Sequence, residues 1–233
     1  MKKFIICFVK AILAGFLIGI GATTNLYLKG LGYTFLGAVM FTFGLIFICF
    51  FDLNLYTGKI GFFFDNDKEF KINIIYIILG NIVGASLFGF MMHATNIIDS
   101  STYNEFVNSK IINFNNFSFN WFIKFFLNSM LAGILVYLGT IAFKKFTNPI
   151  MEVLGIVFSI TIMVLLKGEH SIANVVYYSL FYDQIDHIGV IISFVIAAIG
   201  NGIGSILLHL LFKISNQVIK KENKQVENKN KTE

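Results

Sequence analysis

Charged residues are scarce in this chain of 233 residues, and arginine is absent from it. Only 13% of the residues are Asp, Glu, Lys or Arg, all 18 basic residues are lysines, and 56% of the residues are hydrophobic. That much apolar surface cannot be hidden in a soluble core. Lysines near the ends of apolar segments fit anchoring at an anionic bilayer surface better than nucleic-acid binding. The composition therefore predicts an integral membrane protein with no nucleic-acid partner.

Cysteine and proline are also rare, which narrows the possible functions. The two cysteines, Cys7 and Cys49, lie in apolar segments, where they are typical of small hydrophobic side chains and not of a disulfide or metal pair. The single proline, Pro149, does not stand in an Asn-Pro-Ala loop of the aquaporin kind. The sequence has no phosphate-binding glycine loop, nucleophile elbow or metal-spaced Cys/His set. These patterns argue against an enzyme and predict neither a metal nor a cofactor.

Long apolar segments are what the chain has in abundance. Hydropathy predicts six, each near or above the roughly 20 residues that cross a bilayer. They cover residues 4–28, 33–64, 71–93, 120–143, 150–181 and 187–213. Residues 215–233 alternate Lys, Asn and Glu, which is typical of a disordered, solvated tail. We therefore expect a transmembrane domain over 1–214 and a cytoplasmic polar tail over 215–233.

Two of the six segments are too long and too polar in the middle to be plain helices. The second meets the run from Asp52 to Lys59, and the fifth meets the run from Lys167 to His170. A charge at the bilayer centre costs roughly 2.5–3.5 kcal/mol on insertion scales, so such groups normally face a polar cavity. Non-helical backbone at that depth is tolerated where protein buries it or where it lines a cavity. The two breaks predict one shared cavity, with 167–174 as the leading site candidate.

A weak internal repeat relates the two halves of the chain. Residues 13–17 (LAGFL) resemble 131–135 (LAGIL), and residues 80–84 (GNIVG) resemble 200–204 (GNGIG). Each half holds three spans, an odd number, so the second half would be inverted relative to the first. Inverted repeats with a site on broken helices recur in transporters. Chance similarity between glycine-rich apolar segments is the alternative.

Lysines set the expected orientation in the membrane. They cluster before the first segment, between the second and third, between the fourth and fifth, and after the sixth. By the positive-inside rule, both termini are then cytoplasmic. We expect the chain in the plasma (inner) membrane of the cell.

Five separated motifs carry a resemblance to a known family. They stand at 55–59 (LYTGK), 80–85 (GNIVGA), 132–135 (AGIL), 169–174 (EHSIAN) and 199–201 (IGN), of which EHSIAN is the most specific. Together they resemble the formate/nitrite transporter family, which includes hydrosulfide channels, from Phe8 to about Ile214. The resemblance implies an all-α, aquaporin-like fold of six transmembrane helices and a homopentamer with one pore per protomer. It also implies transport of small monovalent weak-acid anions: formate first, with hydrosulfide or nitrite as the alternative.

The resemblance also implies which residues line the pore. The central histidine falls on His170 and the pore threonine on Thr57. The other pore candidates are Lys59, Tyr137, Lys167, Glu169 and Asn174, and the apolar constrictions fall near Phe41, Leu45, Leu55, Tyr56 and Met163. Three positions depart from the better-known formate channels. Tyr137 stands where an asparagine usually faces the histidine, Gly168 replaces a phenylalanine, and Met163 replaces an aromatic gate residue, which leaves the substrate open.

These residue types suggest a mechanism. An anion loses hydration in an apolar constriction that the walls cannot replace. Lys59 and Lys167 would raise the anion concentration in the vestibules, and His170 would donate or share a proton at the dry centre, because imidazole titrates near neutral pH. Thr57 would add a hydroxyl hydrogen bond.

Simpler interpretations of the same residues stay open. Thr57 can cap a half-helix, Glu169 can satisfy backbone amides freed at the break, and the lysines can reach a membrane interface. From another class of protein, an aquaporin-type pore for neutral solutes and a membrane scaffold without flux are the alternatives.

Overall fold

The computed structural model describes residues 2–98, 106–113 and 117–230, with side chains from Lys3 to Ile219 within those ranges. The described residues include eight α-helices with both ends defined, numbered in chain order. They are α1 (Lys2–Gly30), α2 (Thr34–Phe50), α3 (Tyr56–Lys59), α4 (Lys68–Thr95), α5 (Phe119–Lys145), α6 (Pro149–Leu165), α7 (Ser171–Leu180) and α8 (His187–Asn230). Two 3₁₀-helices join them, Ile60–Asp65 after α3 and Tyr182–Gln184 after α7.

Apolar length separates these helices into two groups. Helices α1, α4, α5 and α8 are long and apolar enough to cross a membrane, whereas α2 and α6 are apolar but only 17 residues each. Large apolar side chains such as Phe35, Phe158 and Ile188 are exposed on the outside of the bundle. In a bilayer such side chains face lipid, so their exposure fits the predicted membrane protein.

The predicted interruptions of the second and fifth segments are both present. Helix α2 ends at Phe50 and α3 begins at Tyr56, while α6 ends at Leu165 and α7 begins at Ser171. In each break one non-glycine residue adopts the left-handed backbone conformation. These residues are Asp52, with φ 46°, and Lys167, with φ 58°. Left-handed backbone costs such a residue roughly 1–2 kcal/mol. The surrounding hydrogen bonds must therefore hold both breaks open.

Asn81 on α4 holds the first break. Its Oδ1 accepts from the backbone N–H of Tyr56 at 2.8 Å, and its Nδ2 donates to the carbonyls of Ala11 and Asn54, both at 2.8 Å. The backbone N–H of Asn54 donates to the carbonyl of Lys10 at 3.5 Å. One amide side chain thus satisfies several backbone groups that the missing helical turn leaves free.

Asn201 on α8 holds the second break with the same set of bonds. Its Oδ1 accepts from the backbone N–H of Ser171 at 2.8 Å, and its Nδ2 donates to the carbonyls of Ser129 at 2.7 Å and Glu169 at 2.8 Å. The backbone N–H of Glu169 donates to the carbonyl of Asn128 at 3.0 Å. Two regions far apart in the chain are therefore built alike, atom for atom.

Close helix crossings bring these asparagines to the breaks. Helix α1 crosses α4 at Gly15 and Gly84, and α5 crosses α8 at Gly133 and Gly204. A Cβ atom at any of the four would overlap a backbone carbonyl oxygen of the facing helix. Small residues at these positions let the two backbones touch, as in other membrane helix pairs.

Helix α8 continues far beyond the last apolar segment, to Asn230. Its backbone is thus helical over residues 215–230, whereas the sequence predicts a disordered tail from 215. Lys, Glu and Gln have good helix propensity and can extend a helix that has already begun. The side chains from Leu210 to Ile219 are exposed. The domain boundary at 214 stays a prediction.

Candidate functional site

The two breaks meet at a hydrogen bond between Thr57 and His170. Thr57 lies in the first turn of α3, and His170 is the residue just before α7. Their side chains are 2.9 Å apart, from Oγ1 to Nε2, and the residues are 0% and 3% exposed. The structure therefore brings together Thr57 and His170, the two residues that the family resemblance implied for the centre of a pore.

The second ring nitrogen of His170 fixes the state of the imidazole. Nδ1 lies 3.1 Å from the backbone N–H of Ala173, which donates to it, so His170 caps α7. An Nδ1 that accepts a hydrogen bond carries no proton, so in the neutral ring the hydrogen is on Nε2 and points to Thr57 Oγ1. Thr57 then keeps its own hydroxyl hydrogen for another acceptor. Adding a second proton at Nδ1 would break the cap.

One cavity, here the first cavity, opens on the His170 side of this pair. It has a volume of about 250 Å³. Its lining residues include Phe41, Met163, His170 and Asn174, with three lysines, Lys29, Lys110 and Lys167, and one carboxylate, Glu169. Lysine outnumbers carboxylate here, so the cavity has a positive potential that concentrates anions.

Another cavity, the second cavity, lies on the Thr57 side. It has a volume of about 270 Å³ and is lined by Leu55 and Gly58 from the first break, together with Asp52, Lys59, Thr140 and Lys144. Lys59 Nζ is 4.0 Å from the Asp52 carboxylate, and Lys10 also reaches that carboxylate at 3.0 Å. One acidic group thus faces several lysines, and this cavity too is net positive.

The Thr57–His170 pair lies in the partition between the two cavities. Phe41 lines the first cavity and Ile48 the second, and they are seven residues apart on α2, or about 10 Å along the helix. Leu45 lies between them on the same helix face and is 2% exposed. His170 lines one cavity, while Gly58, next to Thr57 in sequence, lines the other. The pair and its apolar surroundings thus lie between the two cavities.

The predicted constriction residues divide into two groups. Phe41, Leu45, Leu55 and Met163 belong to one buried apolar cluster around the partition. Tyr56 lies elsewhere, since its hydroxyl donates to the carbonyl of Ala198 at 3.0 Å and its ring packs in a separate cluster. Its side chain ties the first break to α8.

Glu169 forms a buried ion pair that the sequence did not predict. Lys110 Nζ lies 2.7 Å from Glu169 Oε2, their side chains are 9% and 11% exposed, and Asn174 Nδ2 donates to the same oxygen at 3.0 Å. The ammonium also lies over the ring of Phe106, 4.8 Å from its centroid. The Glu169 carboxylate thus binds a cation and an amide side chain, whereas the simplest interpretation of the sequence had it satisfying backbone amides.

Lys110 belongs to the connection between α4 and α5 and was not among the site residues that the sequence predicts. Val107 and Ile111 beside it are buried, and the Tyr178 hydroxyl donates to the Lys110 carbonyl at 2.8 Å. One signal could have identified it: a buried carboxylate needs a cation partner, and Lys110 stands directly before the apolar pair at 111–112.

Tyr137 does not lie where the family resemblance implied, beside His170. Its hydroxyl lies 2.6 Å from Nδ1 of His209 on α8, so it does not face His170. His209 Nε2 is 2.7 Å from Asp65, and Lys213 is 2.6 Å from the same carboxylate. The hydrogen bonds from Lys213 and His209 hold the pKa of Asp65 below its usual range. His209, to which the sequence gave no role, thus joins a second polar cluster.

The Lys167 side chain is exposed at the first cavity and Lys59 lines the second, so these two predicted lysines lie on opposite sides of the partition. Within residues 2–98, 106–113 and 117–230, no three His, Cys, Asp or Glu side chains cluster as metal ligands would. The site offers hydrogen-bond donors and positive charge.

Comparison with known proteins identifies the family. The family model described as formate/nitrite transporter matches residues 1–215. Among solved structures, the chain is similar to one described as a pentameric formate channel with formate bound, at 19% identity and a TM-score of 0.74, over 94% of this chain and 98% of that one. It is also similar to an FNT family ion channel, at 17% identity and a TM-score of 0.75, over 89% of each chain. No curated protein sequence matches the chain. Because the family model spans nearly its whole length, this integral membrane protein belongs to the formate/nitrite transporter family.

Proposed function

We propose that the chain is a channel for small monovalent weak-acid anions, with formate the first candidate, that cross as the anion or as its acid. The observation that carries this proposal is the buried Thr57–His170 hydrogen bond between two net positive cavities. Nitrite or hydrosulfide is the alternative substrate within the same family. The solved relative described as holding formate supports the choice of formate.

The hydrogen bonds of the pair suggest how an anion is received. A carboxylate at the partition meets two donors, the Nε2–H of His170 and the free hydroxyl hydrogen of Thr57. The neutral ring can share its Nε2 hydrogen with the anion. Net transfer of a proton would require an imidazolium, and therefore release of the Nδ1 cap on Ala173. Hydrogen-bond sharing is thus the step that this geometry supports best.

The remaining predicted site residues have supporting roles in this proposal. Lys167 and Lys59 concentrate anions in the first and second cavities, while Lys110, Glu169 and Asn174 form a fixed polar wall beside His170. Phe41, Leu45, Leu55 and Met163 form the dry constriction. Tyr56 and Tyr137 lie outside the constriction in this proposal, because their hydroxyls bind groups on α8.

We also propose the six-span, inverted-repeat arrangement for the membrane domain, 1–214. Its support is the repeated bonding of Asn81 and Asn201 at the two breaks, together with the matching glycine crossings. Three spans per half require the second half to be inverted. Lysine distribution supports cytoplasmic termini in the plasma membrane. A homopentamer is proposed because the formate channel with this fold is described as pentameric.

The direct test of function is solute uptake by proteoliposomes across pH 5 to 8. Liposomes containing the protein should take up formate faster than protein-free liposomes, and uptake of nitrite and hydrosulfide in the same preparation ranks the substrates. If none of the three anions enters above the protein-free rate, the proposed function is wrong. Osmotic swelling with water or glycerol but without anion flux would instead indicate a neutral-solute pore.

His170→Asn tests the imidazole itself. Asparagine is a good helix cap, so its Oδ1 can replace Nδ1 opposite Ala173, while the Nε2–H donor is lost. We expect formate flux to fall at least about tenfold, because a hydrogen bond to a charged group contributes about 1.5–3 kcal/mol. Flux equal to that of the wild type would show that the ring has no part in transport.

A further inference from the structure

A third cavity lies between α1 and α4, beside the first break. It is open and has a volume of about 290 Å³. Three lysines line it, and within the described part of the chain no carboxylate does. Its polar lining residues are Lys3, Cys7, Lys10, Asn54, Lys59 and Asn73. Three ammonium groups around one cavity give it a strong positive potential.

Two carboxylates lie near these lysines without neutralising them. Asp52 is 3.0 Å from Lys10 Nζ and 4.0 Å from Lys59 Nζ. Glu69 is 3.6 Å from Lys3 Nζ. The side chain of Asp52 is 80% exposed and that of Glu69 is 48% exposed, so water screens these ion pairs. Three lysines near two exposed carboxylates leave the third cavity with a net positive charge.

The direction of the helices adds to this positive potential. Near the start of α1, the ring of Phe4 lies 5.2 Å from that of Tyr76 on α4, between centroids. Further along, Gly19 lies against Phe88, so the two helices run in the same direction. Both therefore begin at the same end of the bundle, and Lys3 in the first turn of α1 lines the cavity. The positive ends of two helix dipoles thus lie near it.

One polar atom at the third cavity has no partner. Asn73 on α4 lines the cavity, and its Oδ1 is buried without a hydrogen-bond partner among the described residues. A buried acceptor left without a donor is destabilising, and native proteins seldom keep one. An occupant that brings both a negative charge and a hydrogen-bond donor would match the lysines and this carbonyl together.

The corresponding place in the other half of the chain is filled by protein. Ser193 on α8 corresponds to Asn73, since each stands eight residues before the asparagine that holds its break. Ser193 Oγ accepts from the backbone N–H of Ile112 at 2.8 Å, and Ile112 is buried together with Ile111. The connection at 106–113 thus packs against the start of α8. Across the ranges that the structure describes, no such segment covers the third cavity.

The surroundings of the third cavity favour a lipid as its occupant. Ile6 lines the cavity and is 58% exposed, and Phe70 and Ile77 complete the apolar part of its lining. In a bilayer, the exposed apolar faces of α1 and α4 contact acyl chains. A phospholipid can therefore place its phosphate among the lysines and its chains along these two helices. Basic pockets between transmembrane helices bind anionic headgroups in this way.

We propose that the third cavity binds the headgroup of an anionic phospholipid, whose phosphate is held by the three lysines and whose headgroup hydroxyl donates to Asn73 Oδ1. Phosphatidylglycerol has this chemistry, with one negative charge on its phosphate and hydroxyls on its headgroup. Phosphatidylcholine has neither the net charge nor the hydroxyl. Lys59 lines the second cavity as well, but lipid binding at this site does not depend on the proposed channel function.

The double variant Lys3→Gln, Lys10→Gln tests the site. Protein in a neutral detergent is titrated with phosphatidylglycerol or phosphatidylcholine, and native mass spectrometry counts the bound lipids. We expect the wild type to prefer phosphatidylglycerol at least about tenfold. The double variant should lose at least about tenfold in affinity for it, because each lysine removed takes away a charge-assisted hydrogen bond to the phosphate.

Lys68→Gln, Lys71→Gln is the matched control. It removes the same charge from the start of α4, but neither lysine lines the third cavity. Its affinity for phosphatidylglycerol should equal that of the wild type. Equal losses in the two double variants, or a wild type without preference for phosphatidylglycerol, would overturn the site. The Tm of each variant verifies that it is folded.

Alkylation of Cys7 tests the same site without any substitution. Phosphatidylglycerol should slow the reaction of Cys7 with a maleimide, because the thiol lines the third cavity, and should leave the rate at Cys49, in the second cavity, unchanged. Inorganic phosphate at the same concentration should give no protection, since it has no acyl chains to hold it there. Equal protection by inorganic phosphate would assign the cavity to the free ion and overturn the lipid. No protection of Cys7 by phosphatidylglycerol would overturn the site.

Discussion

At the scale of single residues, the site arises from differences between two breaks that are otherwise built alike. The residue before α3 is Leu55, and the residue in the same place before α7 is His170. At the second residue of each helix the polarity is the other way round: α3 has the polar Thr57, and α7 has the apolar Ile172. Each break thus contributes one polar side chain and one apolar side chain. The centre of the proposed pore takes its hydroxyl from one half of the chain and its imidazole from the other.

The buried Lys110–Glu169 pair provides a test at this scale. Lys110→Met leaves the Glu169 carboxylate buried without its cation, and breaking such a pair costs about 3–5 kcal/mol. We therefore expect a clear drop in the Tm of the protein in detergent. Thermal unfolding followed by circular dichroism measures it.

Lys110→Met combined with Glu169→Gln is the matched control, because it removes both charges and leaves Asn174 a neutral partner. Its Tm should recover most of the loss, since a buried pair replaced as a unit is often neutral for stability. A double variant no more stable than Lys110→Met alone would show that the lysine acts through packing and not through its charge.

Sequence reasoning found the residues near the breaks but not their distant partners. His170, Glu169 and Thr57 stand out because polar groups inside apolar runs need a reason. Lys110 is 59 residues from Glu169, and His209 is 72 residues from Tyr137 and 144 from Asp65. No spacing rule for a helix or turn connects positions so far apart. Tyr137 was named as a pore candidate from the family resemblance alone, which does not show that its hydroxyl binds His209.

At the scale of elements, hydropathy located every long helix because apolar length decides where a chain can cross a bilayer. The segment predicted at 71–93 is α4, Lys68–Thr95, and the one predicted at 120–143 is α5, Phe119–Lys145. Caps such as Asp67 and Ser118 set the helix starts a few residues earlier than hydropathy does. Polar caps carry no hydropathy signal, so only the boundaries were missed.

Gly133→Ala tests the helix crossing that brings Asn201 to the second break. A Cβ there would overlap the Asn201 carbonyl oxygen, so α5 and α8 would have to separate. Overpacking of this kind costs about 1–3 kcal/mol. We expect a lower Tm and, because Asn201 holds the break before His170, a loss of formate flux.

Gly139→Ala in the same helix is the control for Gly133→Ala. Its nearest neighbour, a Leu45 methyl group, is 3.4 Å from the added Cβ, an ordinary contact. Alanine is also the better helix former by about 1 kcal/mol. Its Tm should equal or exceed that of the wild type. A Tm of Gly133→Ala as high as that of Gly139→Ala would mean that the crossing tolerates a methyl group.

At the scale of the whole molecule, two positive cavities lie on either side of one apolar partition. The sequence predicted a shared cavity at the breaks, and the structure has two that are separated by the Thr57–His170 pair. The family and the all-helical fold were predictable, because motifs and hydropathy are local properties of the sequence. Whether a central pair closes or opens a path depends on packing between distant helices, which sequence patterns do not encode.

The central claim is that the two cavities are the two ends of a single path. Thr34 lines the first cavity and Lys144 the second, and both are exposed. In a protein whose Cys7 and Cys49 are replaced by alanine, Thr34→Cys and Lys144→Cys place one thiol in each cavity. A bulky, membrane-impermeant thiol reagent can then be added to either face of oriented vesicles.

The measurement is formate flux after each thiol has been labelled. We expect the Thr34→Cys thiol to react only from the outside and the Lys144→Cys thiol only from the cytoplasmic face, and we expect either modification to stop the same formate flux. Complete labelling of either thiol with flux unchanged, or labelling of both from the same face, would contradict the single path.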